Sequence, residues 1–407
     1  MNLVIKNANL NGVNVDCLIE DGVYKTIAPR VEISNGYDIL DANGNYIVPP
    51  FFNCHTHSPM NLLRGIADDL PLFTWLSKHI WPLEAKLTSE DIRNGAMLSA
   101  SEMIRSGTVF YNDMYWSSEE AIVAADKSGM RAVIGIFIID EAPGMVNSKC
   151  RVAEELTLEA YSALSLEAKK RIKLSYAPHA VYSVSEKTLL AVAEKARSAD
   201  AFIHIHASET REEFENCQKE YGMTPIAWID RCGLLTQKTI LAHCVHLTED
   251  DISLIAERGA IISHQPCSNY KLCSGQFDYH RAVECHKCRV VIGTDGCASN
   301  NNLSMFDEMK LAALNAKITS GDPTSGRAED IFYAATRGGA KAFGIDSGEI
   351  KEGMLGDALL IDKDAVQMKP CHNLISNLVY SADTSVVASV VCNGRILLRN
   401  WPRSICQ

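Results

Sequence analysis

The middle of the chain alternates short apolar runs with helix-period segments, and this alternation constrains the fold more than any other feature. The helical stretches include residues 91–105, 119–127, 189–197 and 247–257, and Thr248 is the expected N-cap of the last one. Repeated strand-then-helix units predict an α/β fold of the (β/α)8, TIM-type barrel class. The eight expected strands span residues 51–57, 108–112, 132–138, 172–177, 202–206, 239–243, 261–263 and 290–294.

The two ends of the chain carry a different pattern of short alternating apolar runs. Residues 3–5, 17–20 and 24–27 near the start, and 353–362, 386–392 and 395–398 near the end, are typical of short antiparallel strands. We therefore expect residues 1–50 and 346–407 to form one small β-sandwich domain built from both termini. Residues 51–345 would form the barrel.

Charge and hydropathy exclude several classes of protein. The chain has 407 residues and a formal net charge of -11, which argues against a nucleic-acid partner. No apolar run reaches the length of a membrane span, and the first residues lack the pattern of a secretory signal. We therefore expect a cytoplasmic protein without a membrane partner.

Cysteines are numerous but scattered, which favours reduced and mostly buried thiols. Cys285 and Cys288 form a C-x-x-C pair, with Cys267 and Cys273 upstream. The upstream spacing is too wide for a second close pair, so no structural zinc site is expected there.

Histidines and acidic residues cluster where the predicted strands end. His55 and His57 are two residues apart, so a strand would direct both side chains to one face, where they could bind one metal ion. His206, His243 and Asp295 end three later strands. Barrel enzymes place their chemistry at this carboxyl-terminal face, and the long connection 58–88 should also lie there. His204 and His246 are equally compatible with buried structural roles.

Several stretches together resemble the amidohydrolase superfamily, in its branch of adenosine-type aminohydrolases, and most closely the 5-methylthioadenosine/S-adenosylhomocysteine deaminases. The resemblance covers essentially the whole chain. It is carried by residues 54–57, 80–84, 177–179, 204–209, 242–244, 268–272, 293–296, 299–301 and 348–358.

The resemblance implies one divalent metal ion per subunit, with zinc expected and iron as the alternative. Its ligands would be His55, His57, His206 and Asp295. Bound zinc would lower the pKa of a water molecule to about 7, so that hydroxide could attack C6 of an adenine ring. Asp295 would take the proton of that water, His243 would orient it, and Glu209 would protonate the neighbouring ring nitrogen.

The resemblance also implies the substrate contacts, to which Glu209 and Asp295 contribute. Glu84 would bind the ribose hydroxyls, His179 would lie near the nucleoside, and Trp75 would form an apolar wall. Arg151 would pair with the carboxylate of S-adenosylhomocysteine, although residues 144–150 depart from the family pattern. Residues 276–280 depart from it as well, and the relatives suggest a homo-oligomer.

Two alternatives remain open at this point. The first is another enzyme on the same scaffold, such as a guanine or pterin deaminase or a triazine chlorohydrolase. The second is a barrel that has lost its metal and its catalysis and only binds partners. The binuclear branch needs a lysine at the end of the fourth strand, where Ala177, Pro178 and His179 stand instead. The unrelated zinc deaminases need a His-x-Glu motif, which is absent.

Overall fold

A parallel eight-stranded sheet forms the centre of the molecule. In the computed structural model the described residues are 2–33, 36–140 and 147–399, without the side chains of 147–152. The sheet runs in the order β13-β12-β11-β10-β9-β8-β7-β6, and each neighbouring pair is parallel. The strands are β6 (Phe51–Thr56), β7 (Thr108–Asp113), β8 (Arg131–Ile138), β9 (Ile172–Pro178), β10 (Phe202–Ala207), β11 (Thr239–His243), β12 (Ile261–His264) and β13 (Arg289–Ile292).

The first and last of these strands approach each other and nearly close the sheet into a barrel. The N–H groups of Thr294 and Asp295 donate to the carbonyl of His55 over 3.1 and 3.0 Å. Gly293 permits this approach, because a Cβ atom there would lie 2.7 Å from the backbone nitrogen of His55. All eight predicted strands are confirmed, with ends that differ by at most two residues.

Helices follow the barrel strands as predicted. Thr248 caps its helix, accepting the N–H of Asp251 over 3.1 Å, so that prediction is confirmed. The helices are α1 (Leu72–Trp75), α2 (Trp81–Glu84), α3 (Ser89–Arg105), α4 (Ser118–Ser128), α5 (Asn147–Ala163), α6 (Leu166–Arg171), α7 (Glu186–Ser198), α8 (Arg211–Tyr221), α9 (Pro225–Arg231), α10 (Glu249–Arg258), α11 (Pro266–Lys271), α12 (Cys297–Asn300), α13 (Met305–Ser320), α14 (Ala328–Ala335), α15 (Arg337–Ala342) and α16 (Leu374–Tyr380). Short helical turns lie at Ser58–Leu63, Leu76–Ile80, His280–Cys285, Val366–Met368 and Thr384–Val386.

A separate sheet contains strands from both ends of the chain. Its order is β16-β15-β14-β5-β1-β2-β3, with β4 paired to β1. Most pairs are antiparallel as expected, but β1 is parallel to both β4 and β5, because the chain returns to the same end before re-entering the sheet. The strands are β1 (Leu3–Leu10), β2 (Val13–Glu20), β3 (Val23–Ala28), β4 (Asp38–Asp41), β5 (Tyr46–Val48), β14 (Ala358–Ile361), β15 (Val387–Cys392) and β16 (Arg395–Leu398).

The cysteines within the described part of the chain are all free thiols, and most of them are buried. No helix among the described residues is long and apolar enough to cross a membrane.

A buried ion pair joins the two sheets. Arg131 begins β8 of the barrel, and its Nε lies 3.0 Å from Oδ2 of Asp357, the residue before β14. Ser347 Oγ donates to the same carboxylate over 2.6 Å, and the Arg131 guanidinium also donates to Asn393 over 3.1 Å. Burial by itself would raise the pKa of Asp357, but the charge of Arg131, together with the hydrogen bonds from Arg131, Ser347 and the N–H of Asn393, outweighs it and holds that pKa below its ordinary value.

We predict that Asp357→Asn lowers the free energy of unfolding by about 3–5 kcal/mol, because it leaves a buried guanidinium without its counter-charge. Asp330→Asn is the matched control, since the Arg327–Asp330 pair is exposed and its loss should cost less than about 1 kcal/mol. Urea unfolding would measure both changes. The stabilisation by Asp357 should be complete above about pH 4 and be lost as the pH falls through its lowered pKa. Equal effects of the two variants would contradict the role of the buried pair.

Candidate active site

Five predicted residues meet at the carboxyl-terminal face of the barrel. His55 lies in β6 and His57 just beyond it, His206 lies in β10, His243 ends β11, and Asp295 follows β13. All five are buried. Two sets of three have ligand atoms within 4.8 Å of one another: His55 with His206 and His243, and His55 with His57 and Asp295. Within the described residues, no other group of three has metal-binding side chains so close together.

The ring nitrogens of the cluster point at one another and at a carboxylate. Oδ1 of Asp295 lies 3.2 Å from Nε2 of His57 and 3.4 Å from Nε2 of His55. Nε2 of His57 also lies 3.2 Å from Nε2 of His206. The four residues predicted as metal ligands therefore surround one small volume.

Hydrogen bonds behind the cluster determine which ring nitrogens face inward. His57 Nδ1 donates to the Met114 carbonyl over 2.5 Å, and His206 Nδ1 donates to the His179 carbonyl over 2.8 Å. A carbonyl can only accept, so in the neutral rings both Nε2 atoms carry lone pairs; these two atoms are 3.2 Å apart, and that of His57 also faces Asp295. His55 is held similarly, with Nδ1 2.7 Å from Nε2 of His204, so His204 orients a predicted ligand. Converging lone pairs and a carboxylate repel one another unless a cation lies between them, so this donor set fits a divalent metal ion.

The pKa values of the cluster favour positive charge beside Asp295, on His57, and disfavour it on His55 and His206. Burial lowers the pKa of His55 to about 3 and holds that of His206 well below its usual range. Burial opposes protonation of His57 too, but the hydrogen bond and charge of Asp295 outweigh it and raise the His57 pKa to about 9. Burial would raise the pKa of Asp295, yet its hydrogen bonds from His55 and His57 hold it well below the usual range. A divalent ion would supply this charge in place of a proton.

Asp295 is oriented by three donors and by its own backbone. Its Oδ2 accepts Ser268 Oγ over 2.5 Å and Ser299 Oγ over 2.9 Å, while Oδ1 accepts the N–H of Gly296 over 2.8 Å. The residue has φ of 61°, in the left-handed region that non-glycine residues rarely adopt. Strain of this kind persists where surrounding contacts determine the conformation, as these donors do.

Glu209 and His243 lie beside the cluster. Oε2 of Glu209 is 3.7 Å from Nε2 of His243, and Ser274 Oγ donates to Oε1 over 3.1 Å. His243 Nδ1 is 2.8 Å from the side-chain oxygen of Asn269, which fixes the ring with Nε2 towards Glu209. Burial raises the pKa of Glu209, which favours a carboxyl group able to carry a proton.

A pocket opens from the cluster and contains the other described substrate-contact candidates. Trp75, Glu84 and His179 line it together with His57 and Asp295, so the 58–88 connection covers the site. Trp116 Nε1 donates to Oε2 of Glu84 over 3.3 Å, and burial raises the Glu84 pKa. His179 Nδ1 contacts Ser183 Oγ at 2.7 Å.

Other predicted features lie elsewhere. The Arg151 side chain is outside the described residues, and residues 144–146 are as well. Cys285 and Cys288 belong to neither of the candidate metal groups found among the described residues. The segment 276–280 does not line the pocket, and Tyr279 and Phe277 pack into the core.

Sequence reasoning missed several pocket residues. Trp116 and Tyr115 follow β7, Phe137 lies near the end of β8, and Tyr182 follows β9. Their positions at the same ends of barrel strands as the histidines are the signal that could have identified them.

Comparison with known proteins agrees with this geometry. The model of the amidohydrolase family matches residues 46–397. The 5'-deoxyadenosine deaminase of Methanothermobacter thermautotrophicus is 40% identical over 391 residues, which is 96% of this chain and 90% of that protein. The 5-methylthioadenosine/S-adenosylhomocysteine deaminase of Haloarcula marismortui is 41% identical over 366 residues, 90% of this chain and 84% of that protein.

A solved structure gives the same result at the level of the fold. The adenosine deaminase from Xanthomonas campestris, with bound zinc, superposes with a TM-score of 0.91 at 33% identity, covering 98% of this chain and 93% of that one. The family predicted from the sequence is confirmed. This chain belongs to the amidohydrolase family.

Proposed function

We propose that the protein is a metal-dependent hydrolase that deaminates the adenine ring of 5'-substituted adenosines, such as 5-methylthioadenosine, S-adenosylhomocysteine or 5'-deoxyadenosine. The products would be the inosyl nucleoside and ammonia. The observation that carries this proposal is the position of Glu209, a buried carboxyl group with a raised pKa, within 3.7 Å of His243 and beside the histidine–aspartate cluster. The names of the relatives support the same substrate class.

His55, His57, His206 and Asp295 would hold the ion, since their donor atoms converge and their outer atoms are hydrogen-bonded. Imidazole and carboxylate donors suit zinc or iron, and the zinc of the Xanthomonas structure supports zinc. When bound, such an ion supplies a water molecule whose pKa is lowered to about 7.

The side chains around the cluster would move the protons. Asp295 would accept the proton of the attacking water at Oδ1, the oxygen that faces His55 and His57. His243 would orient that water through Nε2, because Nδ1 is occupied by Asn269. Glu209 would donate its proton to the ring nitrogen next to C6 and then assist the departure of ammonia.

The pocket would recognise the nucleoside. Glu84 is buried and oriented by Trp116, so its carboxylate would accept the ribose hydroxyls. Trp75 would form an aromatic wall and His179 would contact the nucleoside, as their places in the pocket support. Arg151 stays a prediction for a substrate carboxylate.

We also propose the wider organisation expected from the sequence. Residues 1–50 and 346–407 would form one β-sandwich domain, supported by the sheet that both ends share, and residues 51–345 the barrel. The protein would act as a homo-oligomer in the cytoplasm, a reducing compartment that suits its free thiols.

A substrate panel tests the proposed function directly. Ammonia release should be measured on adenosine, 5-methylthioadenosine, S-adenosylhomocysteine and 5'-deoxyadenosine, with guanine and a chlorotriazine as controls. We expect turnover of the adenosines only, lost after chelation and restored by zinc. Turnover of guanine or the triazine alone would contradict the proposal, as would chelator-resistant activity.

We predict that Glu209→Gln lowers kcat for deamination by about 100- to 10,000-fold, because the amide cannot deliver a proton. The metal content should be unchanged, since Glu209 is not a ligand. Glu212→Gln is the matched control, because Glu212 is exposed in the first turn of the helix that follows Glu209, and its loss should leave kcat unchanged. Steady-state kinetics and metal analysis would measure both; an active Glu209→Gln enzyme would remove the proton-donor role.

We predict that Glu84→Gln raises KM for adenosine by about 10- to 100-fold. The neutral amide would lose a charge-assisted hydrogen bond to the ribose, and the free energy of such a bond corresponds to a factor of this size. The matched control is a substrate: 2',3'-dideoxyadenosine lacks the hydroxyls, so the wild-type enzyme and the variant should use it equally. Kinetics on the two nucleosides would test this. A similar change for both would place Glu84 outside ribose recognition.

A further inference from the structure

Glu213 is a buried carboxylate that the proposed chemistry does not use. It lies in the first turn of α8 with 1% exposure, and it is not among the residues that line the pocket. The Thr210–Glu213 spacing is that of a capping box, in which the carboxylate would accept the N–H of the cap residue. Thr210 does accept the N–H of Glu213 over 3.1 Å. The Glu213 carboxylate, however, reaches past the cap to the two preceding residues.

Those two residues form the turn that presents Glu209. Oε1 of Glu213 accepts the N–H of Ser208 over 3.0 Å, and Oε2 accepts the N–H of Glu209 over 2.7 Å. Ser208 has φ of 52°, a left-handed conformation that is unfavourable for residues other than glycine. Such a conformation needs contacts that hold it, and a buried carboxylate with two N–H donors provides strong ones.

The same turn also holds the loop after β11. The carbonyl of Ser208 accepts the N–H groups of Val245 and His246, each over 2.9 Å. These residues lie two and three positions after His243, which itself has φ of 73°. Glu213 therefore holds the backbone of Glu209 directly and is linked to the loop after His243 through Ser208, although it does not line the pocket.

We propose that Glu213 is a positioning residue that holds Glu209 in register with His243 for proton transfer, through its two hydrogen bonds to the Ser208–Glu209 turn. This inference rests on the proposed function, in which Glu209 carries the proton. A misplacement of about 1 Å at a proton-transferring group costs on the order of 100-fold in rate, so the geometry of the turn should be visible in kcat.

The test compares Glu213→Gln with Asp251→Asn in the metal-loaded enzyme, with adenosine as substrate. The glutamine side chain has one oxygen, which can accept only one of the two N–H groups. Its own NH2 group would face the other N–H, which then has no acceptor. We expect kcat to fall by about 10- to 100-fold with KM changed less than about threefold and metal content unchanged, because the transition state alone needs the exact proton geometry.

Asp251 is the matched control because it occupies the same position in α10 as Glu213 does in α8, the third residue of the helix. It is buried in the first turn of α10, and its carboxylate accepts the N–H of its own cap residue, Thr248, over 2.9 Å. Its other oxygen accepts the hydroxyl of Thr224, the cap residue of α9. Asp251→Asn should therefore lower the melting temperature while leaving kcat within about twofold, as expected for a carboxylate that bonds only to helix caps.

A wild-type kcat in Glu213→Gln would overturn the inference. So would a fall in kcat that is explained by a parallel loss of metal, or an equal fall in kcat in Asp251→Asn. If Glu213→Gln does not fold, Glu213→Asp replaces it, since the shorter carboxylate cannot reach both N–H groups and should give the same fall in kcat. A wild-type enzyme without activity on any adenosine would instead count against the proposed function, so the two failures are distinguishable.

Discussion

Three imidazole rings and one carboxylate meet in a small buried volume. Their lone pairs and negative charge repel one another, and the rest of the site depends on this repulsion. The nitrogens cannot turn away, because His57 and His206 are hydrogen-bonded through their outer atoms to the carbonyls of Met114 and His179. Burial removes the water that would otherwise solvate them. A cation at this point converts the repulsion into binding, which is why a site that would be destabilising without charge compensation suits a divalent metal.

Buried carboxyl groups behind the site hold the loops that carry Glu209 and Asp295. Glu213 holds the turn of Glu209, and Glu308 accepts the N–H of Cys267 over 3.2 Å and the Asn300 amide over 2.6 Å. Cys267 and Asn300 flank Ser268 and Ser299, the two hydroxyls that orient Asp295. Burial raises the pKa of Glu308 to about 8. The barrel thus supports its site with hydrogen-bonded carboxyl groups rather than with packing alone.

The second sheet is tied to the barrel by charge as well as by apolar burial. Arg131 and Asp357 are both buried, and Ser347 and Asn393 add further hydrogen bonds to the pair. A buried, hydrogen-bonded pair favours one mutual arrangement of the two sheets, since any other leaves a charge unpaired. The pair lies where β8 begins, at the opposite end of that strand from the pocket.

The sequence by itself determined the strand–helix order, the Thr248 cap and the positions of His55, His57, His206, His243 and Asp295 at strand ends, because these follow from local periodicity. The observed strand ends differ from the predicted ones by a residue or two, because backbone pairing, rather than the side-chain pattern, determines where a strand ends. The Glu213 carboxylate binds the turn before its helix, and nothing in the sequence pattern predicted this contact. The bond between His55 and His204, the contact of Trp116 with Glu84 and the parallel pairing of β1 were decided only by the tertiary structure. Each depends on distances between elements far apart in the chain, which local periodicity does not encode.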